Sequence, residues 1–208
     1  MPAAHDVVWG PAEHLAIGYA RDPVVRYRGS TGGVLTALGQ FLLTSGRVKF
    51  ILHVAASGRE PLRTLTFVCG GASDLTKSEE VVSEVGIRPE ELSSFRYRGN
   101  GCPGPTRLET QDGRSFELTY QDMWEDEATW RIQPRCKICP DAIGESADLA
   151  ASDVWPGGGP AGEDEGFNGI IVRTRRGLEL YRAALEAGAI VPAPVILAPK
   201  LSGRGRLS

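Results

Sequence analysis

The sequence predicts an α/β fold: a mixed or parallel sheet flanked by helices, with a glycine-rich, cysteine-bearing insertion. Three observations predict it. Two runs with helical spacing of apolar residues, GVLTALGQFLLTSG and GLELYRAALEAG, each adjoin a β-branched run, VKFILHVAA or GIIVRT. TLTFVCGG passes through glycines into the helix-like LTKSEEVVSEVG, which is the strand, glycine turn, helix order of an α/β layer. From Phe95 to Gly104 the text turns basic and glycine-rich, with Cys102 inside it.

Taken in order, the first helix carries Val34, Leu35, Leu38, Phe41 and Leu42 on one expected inner face. Ser30 or Thr31 is its expected N-cap, and Gly46 its stop. The strand VKFILHVAA follows, then a second strand ending at Cys69 and a helix closed by Gly86. LETQDGRSFELTY reads as a hairpin turning at Asp112 and Gly113, and the acidic MWEDEATW leads into RCKICPD. ADLAASDVW is a short strand, PGGGPAGEDEGF a loop too rich in glycine, proline and acid to pack, and GIIVRT a compact strand. The last helix places Leu180, Tyr181, Ala184 and Leu185 inward. The expected organisation is one α/β domain over 1–200, with its cysteine segment at about 95–155, and a polar tail over 201–208.

Composition narrows the function. A chain of 208 residues, 41% hydrophobic and 24% charged, can bury a sizeable core. Its net charge of −3 offers no basic face for nucleic-acid phosphates, so a nucleic-acid role is excluded. The amino end lacks a leader pattern and no apolar run approaches the ~18 residues of a membrane span, so a cytoplasmic protein is expected. Four cysteines are too sparse for a disulfide scaffold and read as thiols or ligands. His5, His14 and His53 show no partner pattern, and no catalytic acid, base or nucleophile is assigned.

Two constellations carry chemistry. At Ser30, Thr31, Gly32 and Gly33, unbonded backbone N–H groups and a helix dipole meet where no glycine Cβ blocks a ligand, which would seat a phosphate. The other reading is a capped helix whose glycines allow close packing. Cys136 and Cys139, in C-x2-C before Pro140, can share an ion, a cluster or a redox dithiol role. With Cys102 and Cys69 they make a candidate four-thiolate site, in which one knuckle and two singletons fit iron–sulfur better than a two-knuckle zinc ribbon. Cys69 reads equally as a small buried hydrophobe. Asn100 in the glycine-rich segment, Asp153 at a strand end, and Asn168 and Arg173 flanking another strand are further candidate cofactor contacts; loop bonds or ion pairs are the alternatives.

STGGVLTAL, FRYRGNGCPG, RCKICPD with ADLAASDVW, and GFNGIIVRTRRGLEL resemble, in this order, the beta subunit family of coenzyme F420 hydrogenase and formate dehydrogenase. That family includes chlorophyll-pathway vinyl and hydroxymethyl reductases. The resemblance implies an α/β flavoprotein binding FAD beside a 4Fe–4S cluster, with Ser30 to Gly33 in the flavin site and Cys102, Cys136 and Cys139 as cluster ligands. It implies electron transfer between a one-electron carrier and a two-electron small-molecule acceptor. Many members carry an amino-terminal CxxCxxCxxxCP run that this sequence lacks, so a separate ferredoxin or companion subunit is the expected electron source. Self-association is left open. The alternative is a non-catalytic module with a structural zinc site, or a family member without cofactors.

Overall fold

The computed structural model describes residues 4–6, 9–29, 31–52, 54–56, 64–66, 85–124, 138–139, 141, 143–155, 158–160 and 164–194. The chain opens with a hairpin of β1 (Ala4–Asp6) and β2 (Gly10–Ala12). Next come β3 (His14–Ala20), α1 (Pro23–Arg28), α2 (Val34–Thr44) and the antiparallel pair β4 (Val54–Ala56) and β5 (Thr64–Thr66). β6 (Leu92–Arg96), β7 (Thr106–Thr110) and β8 (Ser115–Leu118) form a meander that leads into α3 (Tyr120–Trp124). The last part holds β9 (Leu149–Val154), β10 (Phe167–Val172), α4 (Arg175–Glu186) and β11 (Ile190–Ala193).

The main sheet has the order β11-β3-β10-β9, and every neighbouring pair is antiparallel. This corrects the expected mixed or parallel sheet while keeping the α/β class. The physical reason lies in the connections. β9 returns to β10 through a segment with no described helix, so the two strands run in opposite directions. β10, α4 and β11 do form the strand, helix, strand unit legible in the sequence, and β10 and β11 run the same way. β3 lies between them, however, so each hydrogen-bonded pair is antiparallel.

One face of this sheet, with Ala20, Ile170, Val172 and Ile190, packs against Val34, Ala37 and Leu38 of α2 and Tyr181 and Ala184 of α4. A second core joins Leu92, Phe95 and Leu108 of the meander to Met123 of α3 and to Ile87. Its turn is the expected one, with Gly113 at φ 86°.

The structure departs from the sequence reading in several places. Gly33, at φ 70°, is the N-cap of α2, instead of Ser30 or Thr31. Leu35 is 59% exposed, instead of joining the inner face. The stop at Gly46 holds: at φ 68°, its amide bonds the Leu43 carbonyl at 3.1 Å. Among the described residues of VKFILHVAA, only Val54–Ala56 is strand, and Phe50 is 69% exposed. The expected helix LTKSEEVVSEVG lies outside the described residues up to Val85. β3 escaped the sequence reading because Gly18 interrupts it; a Cβ there would stand 2.9 Å from the Val191 carbonyl oxygen, so the neighbouring strand demands glycine.

Candidate functional site

Three segments meet at the start of α2: residues 31–34, the loop 99–104 between β6 and β7, and residues 164–168 leading into β10. Glycine permits the approach. A Cβ on Gly166 would stand 2.6 Å from the Thr31 carbonyl oxygen and 3.2 Å from Cys102 Cβ, and one on Gly99 would stand 2.6 Å from the Arg28 carbonyl oxygen. Gly101 N–H donates to the Tyr27 carbonyl at 3.0 Å, and Asp164 N–H to the Cys102 carbonyl at 2.8 Å. The segment around Asp164, expected to be too polar to pack, thus pairs with the cysteine loop. Asn100, exposed at φ 59°, sits at the outside of that loop.

Asn168 organises the meeting point. Buried on β10, it accepts from Val34 N–H at 3.1 Å, and its amide nitrogen donates to Thr31 Oγ1 at 2.5 Å and to the Ser152 carbonyl at 3.2 Å. One side chain thereby ties α2 to β9 and β10 and satisfies one of the helix's orphan donors. Gly32 and Gly33 face the protein's own backbone: a Cβ would meet Asn168 N at 2.8 Å from Gly32, and the Val25 carbonyl oxygen at 2.8 Å from Gly33. The amides of Leu35 and Thr36 have no acceptor among the described residues, and both residues are exposed. Leu35 also lines a cleft of about 340 Å³, together with Trp9, Ile143, Gly144, Ala147, Leu149 to Ser152 and Ile171, with no charged side chain among these residues. An apolar cleft near the start of a helix suits a flat ring joined to an anionic group. The glycine pair itself packs against Asn168 and the Val25 carbonyl beside this turn.

Asp153 pairs with Arg98 at 2.6 Å, and the Arg98 guanidinium lies 5.2 Å from the Tyr120 ring and 5.5 Å from the Trp155 ring. Those rings stand edge to face at 5.8 Å. Cys102 is 2% exposed. Burial first, and then the Asp164 carboxylate that accepts its hydrogen bond, push the thiol up to about 12 against a weaker opposing effect of Arg98. Binding of a metal by Cys102 would have to displace the thiol proton that this environment favours.

Arg173 closes the other end of β10. Its Nε donates to the Gly144 carbonyl at 2.9 Å, Nη1 to Trp9 at 2.6 Å and Pro11 at 3.0 Å, and Nη2 to Ile143 at 2.7 Å. At 6% exposure its guanidinium is committed to the backbone. In RCKICPD, Cys139 is exposed and Asp141 accepts from Ser146 N–H at 3.0 Å and Ser146 Oγ at 2.6 Å, which holds its carboxyl below the usual range. Ser30, Cys69 and Cys136 lie outside the described residues, and among those described no group of three His, Cys, Asp or Glu could hold a metal.

Sequence reasoning missed Arg98, Asp164 and Arg26. Arg98 stood in plain view in YRGNGCPG, and Asp164 was discounted with its loop. Arg26, 3.7 Å from the Tyr19 ring centroid and 4.9 Å from that of Phe167, donates to the Gly166 carbonyl at 2.8 and 3.0 Å and pins α1 to the entry of β10.

Residues 49–196 match the family described as the carboxyl-terminal part of the beta subunit of coenzyme F420 hydrogenase/dehydrogenase. The chain belongs to this family. No curated protein matches it in sequence. Among solved structures it is similar to a chain of the F420-reducing NiFe hydrogenase complex from Methanosarcina barkeri, studied after xenon derivatization. The TM-score is 0.60 at 14% identity, over 95% of this chain and 87% of that one. At that identity the likeness concerns the fold alone. No helix among the described residues is long and apolar enough to cross a membrane.

Proposed function

We propose that this family member is an electron-transfer oxidoreductase or a subunit of one, which binds FAD and a 4Fe–4S cluster. It passes electrons between a one-electron carrier, a ferredoxin or a companion subunit, and a two-electron small-molecule acceptor. The observation that carries this reading is the first turn of α2, where the Leu35 and Thr36 amides have no acceptor among the described residues and Leu35 lines an apolar cleft. Leu35 and Thr36 would receive a flavin's phosphate oxygens, while Thr31 and Asn168 hold the turn and Leu149 to Ser152 line the cleft. Bound flavin supplies two-electron chemistry and the cluster one-electron relay. Cys136 and Cys139 are the proposed knuckle, with Cys102 third and Cys69, a non-cysteine group or a partner residue fourth. Arg98 and Asp153 set the charge beside Cys102.

The packing of Cys102 favours a second reading in one respect: it is buried against the segment of Asp164 without a metal, as in a module whose remaining cysteines bind structural zinc or nothing. Strictly anaerobic reconstitution with iron and sulfide, followed by metal analysis and a flavin titration, separates the two. The proposal requires about four irons and four sulfides per chain and saturable FAD binding. One zinc per chain with no iron uptake, or no FAD binding at tens of micromolar, would establish the second reading.

A further inference from the structure

The segment following α2 holds an anomaly. Expected to be a strand, it instead leaves Phe50 69%, Leu52 53% and Ile51 37% exposed, beside Leu43 of α2 at 44%. Isolated exposed apolar residues are ordinary, but four large ones gathered at one place mark an interaction surface. Ile51 explains how the run is held: a Cβ on Gly39 would meet Ile51 Cδ1 at 3.0 Å, so Ile51 lies against the middle of α2 while Phe50 and Leu52 project from it. The surface is also basic. Arg47 and Lys49 alternate with Val48 and Phe50, and residues 43–52 include no acidic side chain in a chain of net charge −3. Arg47 is held with its guanidinium 5.6 Å from the Phe41 ring.

We infer that this surface docks an acidic one-electron carrier protein, with Phe50 and Leu52 as the apolar anchors and Arg47 and Lys49 as the cationic rim. The charges decide between occupants. A second copy meeting the same surface about a two-fold axis would set Arg47 and Lys49 against their own counterparts, and like charges across an interface are repulsive. An anionic membrane is poorly matched, since recognition there uses clusters of about four to eight cations worth about 1 kcal/mol each. Here two cations sit on an otherwise anionic chain. An acidic protein is attracted by the rim and gains burial of the aromatic anchor. Gly39, which Ile51 covers, is about one helical turn along α2 from Leu35 and Thr36, an axial rise of about 5–6 Å at ~1.5 Å per residue. The surface is thus beside the proposed cofactor seat. The inference rests on the electron-transfer reading for the identity of the partner, and on exposure and charge alone for the location of the surface.

The test is calorimetric titration of the full chain with a small acidic ferredoxin, alongside a separate FAD titration. Saturable ferredoxin binding is expected, weakened about tenfold or more by Arg47→Glu combined with Lys49→Glu, and by raising the salt. Phe50→Ser is expected to weaken it comparably with no change in thermal midpoint, because the side chain is exposed. Leu15→Ser, on an exposed apolar residue of β3, is expected to leave binding unchanged. A chain that takes up FAD but shows no saturable ferredoxin binding overturns the docking surface and leaves the flavin reading standing. Binding indifferent to both charge reversal and Phe50→Ser overturns it as well. Self-association abolished by Phe50→Ser, or flotation with anionic vesicles, would assign the surface to another occupant and overturn it too. Ferredoxin binding that obeys these variants in a chain taking up neither FAD nor iron supports the surface and defeats the cofactor reading.

Discussion

The two ends of β10 each carry a buried polar side chain, and they finish differently. At the carboxyl end, Arg173 spends its guanidinium on the carbonyls of Trp9, Pro11, Ile143 and Gly144, and the end is shut. At the amino end, Asn168 spends its amide on Thr31, Val34 and Ser152, and the next amides of α2 stay open. Both residues read from sequence as candidate ligand contacts; in the fold both are anchors. The difference teaches that one anchor consumes the polar groups around it while the other leaves donors beside it without acceptors, and the proposed function places its ligand at the second.

The largest effect is expected at the shut end. Arg173→Met removes four hydrogen bonds from a buried guanidinium to backbone carbonyls and is expected to cost about 3 kcal/mol or more of stability in a denaturant melt. Arg173→Lys should recover part of that loss, since it keeps the charge but not the fork. If Arg173→Met melts like the native chain, the clamp is not structural and the contrast between the ends fails. Asn168→Ala comes next. It removes a cap and two donated bonds, at about 1–2 kcal/mol, and it should lower FAD affinity beyond that cost by loosening the first turn of α2. Equal FAD affinity in a folded Asn168→Ala chain would show that the turn does not need its anchor.

The cysteines sharpen the same contrast between closed and open. In the metal-free chain, alkylation at neutral pH should modify Cys139 within minutes, while Cys102 waits for unfolding. Mass spectrometry of the modified peptides reads this directly. Rapid native modification of Cys102 would contradict the packing of loop 99–104 against residues 164–166. The smallest effect belongs to an exposed local cap. Asp122 accepts from Thr119 N–H at 2.9 Å and Thr119 Oγ1 at 2.7 Å, while Asp122 N–H donates back to Thr119 Oγ1 at 3.2 Å, a capping box at the start of α3. Those bonds hold its carboxyl below its ordinary value of 3.8. The contribution is therefore full above that pH and lost as pH falls through the lower folded value. Asp122→Ala should slightly reduce the acid sensitivity of the fluorescence contributed by Trp124, with no effect at the β10 ends.

What the sequence made legible was mostly local. β10, α4, the hairpin at Asp112 and Gly113 and the stop at Gly46 follow from periodicity and turn chemistry over a few residues. The sheet's antiparallel order did not, because it depends on β3 lying between β10 and β11, and β3 was hidden by the glycine that close packing requires. The cap of α2 was equally out of reach: its acceptor is Asn168, 134 positions away from Val34. The glycine segment around Cys102 stood out by its composition, yet its partner Asp164 stood in a loop whose composition suggested that nothing there would pack. The glycine pair drew attention to the amino end of α2 as a phosphate seat, but Gly32 and Gly33 accommodate the protein's own backbone.

The most direct test of the central claim is an FAD titration of Thr36→Asp beside the native chain, with thermal unfolding measured on both. A carboxylate in the first turn of a helix favours the dipole, by about 0.3–1 kcal/mol, but repels an anion bound to the same amides. The account predicts an unchanged or raised thermal midpoint together with FAD affinity lowered about tenfold or more, an electrostatic cost on the order of 1.4 kcal/mol. FAD binding of native strength to a stable Thr36→Asp chain would contradict it.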